Sequence, residues 1–259
     1  MAVADEARSA EPILRLRGVG RRFGGVQAVR EVDLDVAHGE RRAILGPNGA
    51  GKTTLFNVIA GDFPPTTGTI ELTGVDVTAM PARARPKLGL SRTYQKSRLF
   101  LGLTVEENLY LAIVGRVGGR LRLWRSGRDS ELRARAREAA ARVWLDHQLR
   151  TPVASLSHGE QRQLEVGMAT VTEPRVMMLD EPASGLSRGE REKLTELLLA
   201  LPVDVTLVLI EHDMDVALTV ASRVTMLHEG MKIIEGTPTE IRADQRIHDI
   251  YLGTRYHNE

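Results

Sequence analysis

Gly46-Pro47-Asn48-Gly49-Ala50-Gly51-Lys52-Thr53-Thr54 stands between the apolar run Ala43-Ile44-Leu45 and the helix-forming run Leu55-Phe56-Asn57-Val58-Ile59. Strand, glycine-rich turn and helix in that order, with Gly-x4-Gly-Lys-Thr at the turn, is the pattern of a phosphate-binding loop. Glycines let successive N–H groups wrap an anion, and the helix that follows adds its positive end to the same place. On this reading Lys52 reaches the β and γ phosphates and the Thr53 hydroxyl is a ligand of Mg2+. Gly46, Asn48, Gly49, Ala50, Gly51 and Thr54 make up the rest of the nucleotide-binding segment. A glycine turn of purely structural use has no need of Lys-Thr at this offset.

The surrounding composition narrows the field. With 259 residues the chain has room for one or two domains and an ordinary core. It contains no cysteine, which excludes disulfides, thiolate metal sites and a cysteine nucleophile. Lys and Arg number 35 against 34 Asp and Glu, so no global field draws the chain to nucleic acid, and no nucleic-acid partner is expected. Arginines crowd residues 115–142 and read as a solvated helix face. The most apolar runs, 176–179 and 205–210, are far shorter than the ~20 residues a membrane-spanning helix requires. Residues 1–10 carry acids and no continuous apolar segment, and are expected to form a short mobile tail.

Period-2 alternation predicts half-exposed antiparallel strands at 13–17 and 32–36, followed by strand 40–45 into the loop. Strands at 68–72 and 90–94 come next. From 99 to 149 the apolar residues recur at helical spacing, clearest over 129–145, which predicts an inserted helical subdomain. Ser157-His158-Gly159-Glu160 is a Ser-x-x-Glu capping box and opens a further helix. The second half alternates strand 176–179, helix 188–199, strand 205–210 and helix 213–221, then ends in strands 224–227 and 232–235. Such alternation predicts buried parallel strands covered by helices.

Three carboxyl-end positions carry candidate chemistry. Asp180 and Glu181 follow the apolar run Val176-Met177-Met178-Leu179; there Asp180 can hold Mg2+ through water and Glu181 can take a proton from, or orient, the attacking water. In a chain without the phosphate loop, Glu181 would read as a cap or an ion-pair partner. His212 follows strand 205–210, where open α/β sheets gather their ligands, and its imidazole can bond a γ-phosphate and hold the water in line. Gln95 closes Ser91-Arg92-Thr93-Tyr94-Gln95, and its amide can contact both Mg2+ and the water.

Gly46 to Thr53, Gln95, Leu156-Ser157-His158-Gly159-Glu160, Asp180-Glu181 and His212, in that order, resemble the ATPase subunits of ABC transporters. The resemblance implies an α/β fold: a P-loop NTPase core with a mixed parallel sheet, an N-terminal antiparallel β subdomain and an inserted α-helical subdomain. It implies residues 11–95 and 174–259 as catalytic core and β subdomain, and 96–173 as the helical part carrying the signature motif. It further implies two ATP molecules, with Mg2+, held between two head-to-tail ATPase subunits, identical or paralogous. In that arrangement Ser157, Gly159 and Glu160 of one subunit face the phosphate loop of the other, and Phe23 stacks on adenine. As one of four phenylalanines, Phe23 is equally suited to a core. Ser184-Gly185-Leu186-Ser187 occupies the place of the loop that couples the two sites. His158 and Glu160 stand where the commonest signature has Gly and Gln.

Arg92-Thr93-Tyr94-Gln95, Arg98-Leu99-Phe100, Leu103-Thr104-Val105-Glu106-Glu107-Asn108-Leu109 and Ile250-Tyr251-Leu252-Gly253 look like the branched-chain amino acid importers within that family. Leu164-Glu165-Val166-Gly167-Met168 is also similar to urea and short-amide importers, and lipid or lipopolysaccharide transport ATPases share much of the pattern. The resemblance implies membrane permease subunits as partners, a substrate-binding protein indirectly, and a peripheral place on the cytoplasmic face of the cell membrane. A P-loop kinase of small molecules would have no use for the segment from Ser157 to Glu160.

Overall fold

In the computed structural model, residues 11–93, 99–117 and 127–247 are described. The tail reading for 1–10, Gln95 and the ending from 250 to 253 lie outside them. The strands and helices run β1 Leu14–Phe23, β2 Val26–Val36, β3 Arg41–Leu45, α1 Lys52–Ala60, β4 Thr67–Leu72, β5 Val75–Asp76 and β6 Leu90–Arg92. Then come α2 Val105–Val117, α3 Gly127–Arg142, α4 His158–Thr170, β7 Val176–Asp180, α5 Arg188–Leu199 and β8 Thr206–Ile210. α6 Met214–Val220, β9 Arg223–His228, β10 Met231–Gly236 and α7 Pro238–Ala243 close the described chain.

The strands form two sheets. One is antiparallel throughout, in the order β2-β1-β4-β5. The other runs β10-β9-β3-β8-β7-β6, with five parallel strands and β10 antiparallel at one edge. Every residue of β7 and β8 is buried, as strands covered on both faces must be. Their side chains alternate between two cores. Val176, Met178, Val208 and Ile210 pack with Leu55, Phe56, Val58 and Ile59 of α1 and with the antiparallel sheet. Met177, Leu179, Leu207 and Leu209 face the other way, into a core shared with α2, α3, α4, α5 and α6. The helical stretch between β6 and β7 is thus continuous with one face of the parallel sheet. The arginines of α3 pair along its exposed surface: Arg133 with Asp129, Arg135 with Glu173, Arg137 with Glu106 and Arg142 with Glu138.

Corrections to the sequence reading concern strand length, and β2, expected over 32–36, begins six residues earlier at Val26. β1 runs on to Phe23, beyond the alternating stretch, because it pairs with β2 on one side and β4 on the other through several register shifts. β6 stops at Arg92; the Thr93 amide still donates to Met178 O at 2.9 Å. At the far end of α1 the fully buried Arg85 donates to the carbonyls of Val58, Ile59, Met80 and Val77. Burial pushes its pKa down to about 10, yet the guanidinium satisfies helix-terminal carbonyls that would otherwise lack partners. The helix behind the glycine loop is therefore anchored at its C-terminal end.

Candidate functional site

The glycine loop joins the C-terminal end of β3 to α1. Its backbone requires glycine at two points. Gly46 has φ 152° and Gly51 φ 93°, and a Cβ at either would meet a carbonyl oxygen, Leu227 O at 2.2 Å and Ala28 O at 2.3 Å. Gly51→Ala is accordingly expected to destabilise the chain by about 2–3 kcal/mol through left-handed strain and overpacking. Urea unfolding reads this directly, and a midpoint unchanged from the native chain would contradict it.

Gly51 is also the N-cap of α1 and offers no side-chain acceptor to the first-turn amides. The contrast with the later helices is informative. Ser157, Ser187 and Thr237 close capping boxes on α4, α5 and α7, and Asp213 caps α6. α1 therefore presents its positive end to whatever the loop encloses, the arrangement that suits a phosphate. Thr53 and Thr54 lie in that first turn. Lys52, only 6% exposed, donates to Gly46 O at 2.6 Å and Pro47 O at 3.0 Å. Burial lowers its pKa, while the charges of Glu181 and Asp180 pull it back up. The ammonium and the two carboxylates thus act on one another across one site.

Asp180 ends β7 and is 2% exposed. Burial raises its pKa; Arg92, whose Nη2 lies 3.9 Å from Oδ2, and Lys52 oppose the rise. Arg92 also bonds Asn57 Oδ1 on α1 and Asp62, and its guanidinium lies 5.1 Å from the Phe56 ring centroid. It ties β6, α1 and β7 together beside the carboxylate. Glu181 follows with φ 47°, a left-handed backbone rare for glutamate and characteristic of positions held under strain by their surroundings. Its N–H donates to Ile210 O at 2.9 Å, fixing the turn to the end of β8. His212 comes from that same strand end, and its Nδ1 lies 4.0 Å from Glu181 Oε2. The structure thus brings Glu181 and His212 together.

Sequence reasoning passed over two of the carboxylates that build this region. Glu211 is fully buried between the site's two turns: Oε1 accepts from Ala183 N at 2.8 Å, and Oε2 from His212 N at 3.2 Å. Burial raises its pKa against those bonds. Glu190 caps α5 and also reaches α4. The sequence signal for Glu190 was present, since Ser187-Arg188-Gly189-Glu190 repeats the Ser-x-x-Glu pattern. Glu211 gave only an acid after a strand.

The remaining candidates lie further along. Ser157 caps α4, with its Oγ accepting from Glu160 N at 3.2 Å and its own N–H donating to Glu160 Oε2 at 2.8 Å. Gly159 is buried against Glu190. At this helix start the amides of Ser157, Gly159 and Glu160 have acceptors within the chain. Phe23 is 44% exposed at the end of β1, edge-on to Phe63, with the Arg21 guanidinium 4.6 Å from its ring centroid. It belongs to no core and keeps ring surface open to solvent.

Residues 29–184 match the family model described as ABC transporter. The chain is 37% identical over 252 residues to LivG of Salmonella typhimurium, a high-affinity branched-chain amino acid transport ATP-binding protein, covering 94% of this chain and 99% of that one. It superposes on the crystal structure of the ADP conformation of MJ1267, an ATP-binding cassette of an ABC transporter, with TM-score 0.82 and 27% identity over 93% of this chain and 98% of that one. The dimeric post-hydrolysis structure of the cassette MJ0796 bound to ADP and Pi is similar at TM-score 0.73 and 26% identity, covering 87% and 98% of the two chains.

Proposed function

The chain belongs to the ATP-binding subunits of ABC transporters, ATPases by family, and from that premise we infer that it powers import of branched-chain or other hydrophobic amino acids through separate permease subunits. The observation that carries the ATPase chemistry is the uncapped start of α1, with Lys52 in the electrostatic reach of Asp180 and Glu181. The cargo rests on likeness to LivG over 94% of this chain, which favours branched-chain amino acids over urea, short amides or lipids. Loss of the subunit should abolish high-affinity uptake of labelled leucine, isoleucine and valine by the cells that make it. Unchanged leucine uptake, with urea uptake lost instead, would overturn the cargo.

The residues suit Mg2+. Asp180 is a buried carboxylate whose charge Arg92 and Lys52 only partly compensate, and Thr53 adds a hydroxyl. Among the described residues no cluster of three or more His, Asp or Glu forms a cage, which accords with an ion that takes one or two carboxylates and completes its shell with phosphates and water. Thr53, Asp180 and Gln95 would hold it, and when bound it would neutralise charge developing on the phosphates. The chain's own groups do the rest. The loop amides and Lys52 bind the β and γ phosphates, Phe23 stacks on the base, Glu181 receives the proton of the attacking water, and His212 orients it against the γ-phosphate.

One copy of each element per chain argues for two chains around two nucleotides. Residues 11–95 and 174–259 bind and hydrolyse; residues 96–173 present Ser157, Gly159 and Glu160 to the neighbour's nucleotide and transmit closure to the permease. The partner subunit is a second copy or a paralogue, and a substrate-binding protein delivers cargo from the other side. Among the described residues no helix is long and apolar enough to cross a membrane, so a peripheral place at the cytoplasmic face, held by permease subunits, fits this role. Ser157→Arg should leave nucleotide binding by the single subunit unchanged and reduce ATP-induced dimer at least about tenfold, since the added cation and bulk fill the inter-subunit contact. Light scattering with ATP measures it, and a variant that dimerises like its parent would count against the shared pocket.

A further inference from the structure

Three bonds engage the backbone at the start of α4. Two are the local capping box between Ser157 and Glu160, which any helix beginning Ser-x-x-Glu can form. The third reaches across the fold. Gly159 N donates to Glu190 Oε1 at 2.9 Å, although Glu190 belongs to α5. That carboxylate is already in use there, since Oε2 accepts from Ser187 N at 2.9 Å and Ser187 Oγ at 2.7 Å. One acid thus closes the α5 capping box with one oxygen and takes an amide of α4 with the other. The packing is tight: a Cβ at Gly159 would stand 2.7 Å from both Glu190 Cγ and Glu190 Oε1. On the same side Gly185, φ 76°, brings the turn after Glu181 against the His158 ring.

We propose that Glu190 is the in-chain acceptor that a neighbour's γ-phosphate must displace from Gly159, so that its carboxylate sets the ATP concentration at which two subunits close. The proposal rests on the two-subunit pocket described above and deepens it. The Gly159 amide has one proton, and a carboxylate and a phosphoryl oxygen cannot both receive it at full strength. Both are anions, and their repulsion grows as closure excludes water between them. Bonds from Ser187 and Gly159 hold the Glu190 carboxyl below the usual carboxylate range, so it is charged at neutral pH. Because Oε2 stays tied to Ser187, a displaced Glu190 remains on α5, next to the turn that begins at Glu181. Arrival of the neighbour's nucleotide is thereby felt at the chain's own catalytic acid.

Glu190→Gln tests this. Glutamine serves a capping box as glutamate does, so the α5 cap is kept while the charge is removed. In a Glu181→Gln background, which retains ATP, the dimerisation midpoint is followed by light scattering against ATP concentration, with ADP affinity of the monomer and the thermal unfolding midpoint as controls. The expected result is a midpoint at about three- to tenfold lower ATP, with ADP affinity unchanged. A loosened helix cap would move the midpoint the other way, so a gain separates competition from a structural defect. If Glu190→Gln unfolds early, its midpoint is read below its own unfolding transition, beside the parent at the same temperature. A parent that dimerises while Glu190→Gln keeps or raises its midpoint overturns the competition alone. A parent that stays monomeric at every ATP concentration removes the shared pocket, and this proposal with it.

Discussion

Glu181→Gln should bind ATP as the native chain does, hydrolyse it about 10²- to 10⁴-fold more slowly, the usual contribution of a positioned base, and accumulate as a nucleotide-bound dimer. The expectation follows from where the residue sits. Glutamine occupies the same volume and tolerates the φ of 47° no worse than glutamate, so the turn held by Glu181 N to Ile210 O is preserved. What is lost is proton affinity. The other carboxylates nearby cannot substitute: Asp180 is 2% exposed and faces Arg92, and Glu211 is fully buried, bonded to Ala183 and His212 amides. His212, whose Nδ1 lies 4.0 Å from Glu181 Oε2 and 3.8 Å from Glu211 Oε2, keeps the position from which it can orient a water. Phosphate release and light scattering of one sample decide the matter. Turnover at the native rate would remove Glu181 from the base role and leave the fold untouched.

Much of the architecture was legible because its physics is local. β7 and β8 read as continuous apolar runs since both faces are covered, and the helix expected over 188–199 from the alternation of elements spans those residues. α7 escaped although Thr237-Pro238-Thr239-Glu240 carries both a capping box and proline at the first turn; at six residues it has too little periodicity to register. β1 beyond residue 17 has no alternating pattern, because it is held by backbone pairing, Gly20 with β4 and Val19, Arg21, Arg22 and Phe23 with β2, rather than by burial of one face.

Within the candidate site the division is similar. The glycine loop, Asp180, Glu181, His212 and Ser157 were readable because each sits at a fixed offset from a strand end or a helix start. Arg92, Arg85 and Arg42 were not, because what makes each structural is a set of partners scattered over several segments of the chain. Arg42, 1% exposed, bonds Glu40, Thr225 and the Asp35 carbonyl and pairs with Glu235. No window of sequence contains that arrangement. The Gly159 contact with Glu190 belongs to the same class.

Lys52→Ala is the sharper test of the glycine loop, because it separates folding from binding. The ammonium's two bonds, to Gly46 O and Pro47 O, stabilise the loop, but its burial costs much of that gain, as the lowered pKa of Lys52 records. The variant should therefore fold with an unfolding temperature close to the native one. Binding is another matter. A lysine that donates to phosphate oxygens contributes about 1.5–3 kcal/mol per charged bond, so its removal should weaken ATP binding by about 10²-fold or more. With ATP at about 100 times Kd, the native chain gains about 2.7 kcal/mol from the ligand and melts about 5 °C higher, whereas Lys52→Ala at the same concentration should hardly shift. A shift equal to the native one would mean that the nucleotide is gripped elsewhere. Loss of the fold without ligand would instead mean that the lysine serves the loop more than the phosphate. The exposure of Thr53 and the absence of a side-chain cap on α1 argue against that second outcome, since a loop built only for structure would have capped its own helix.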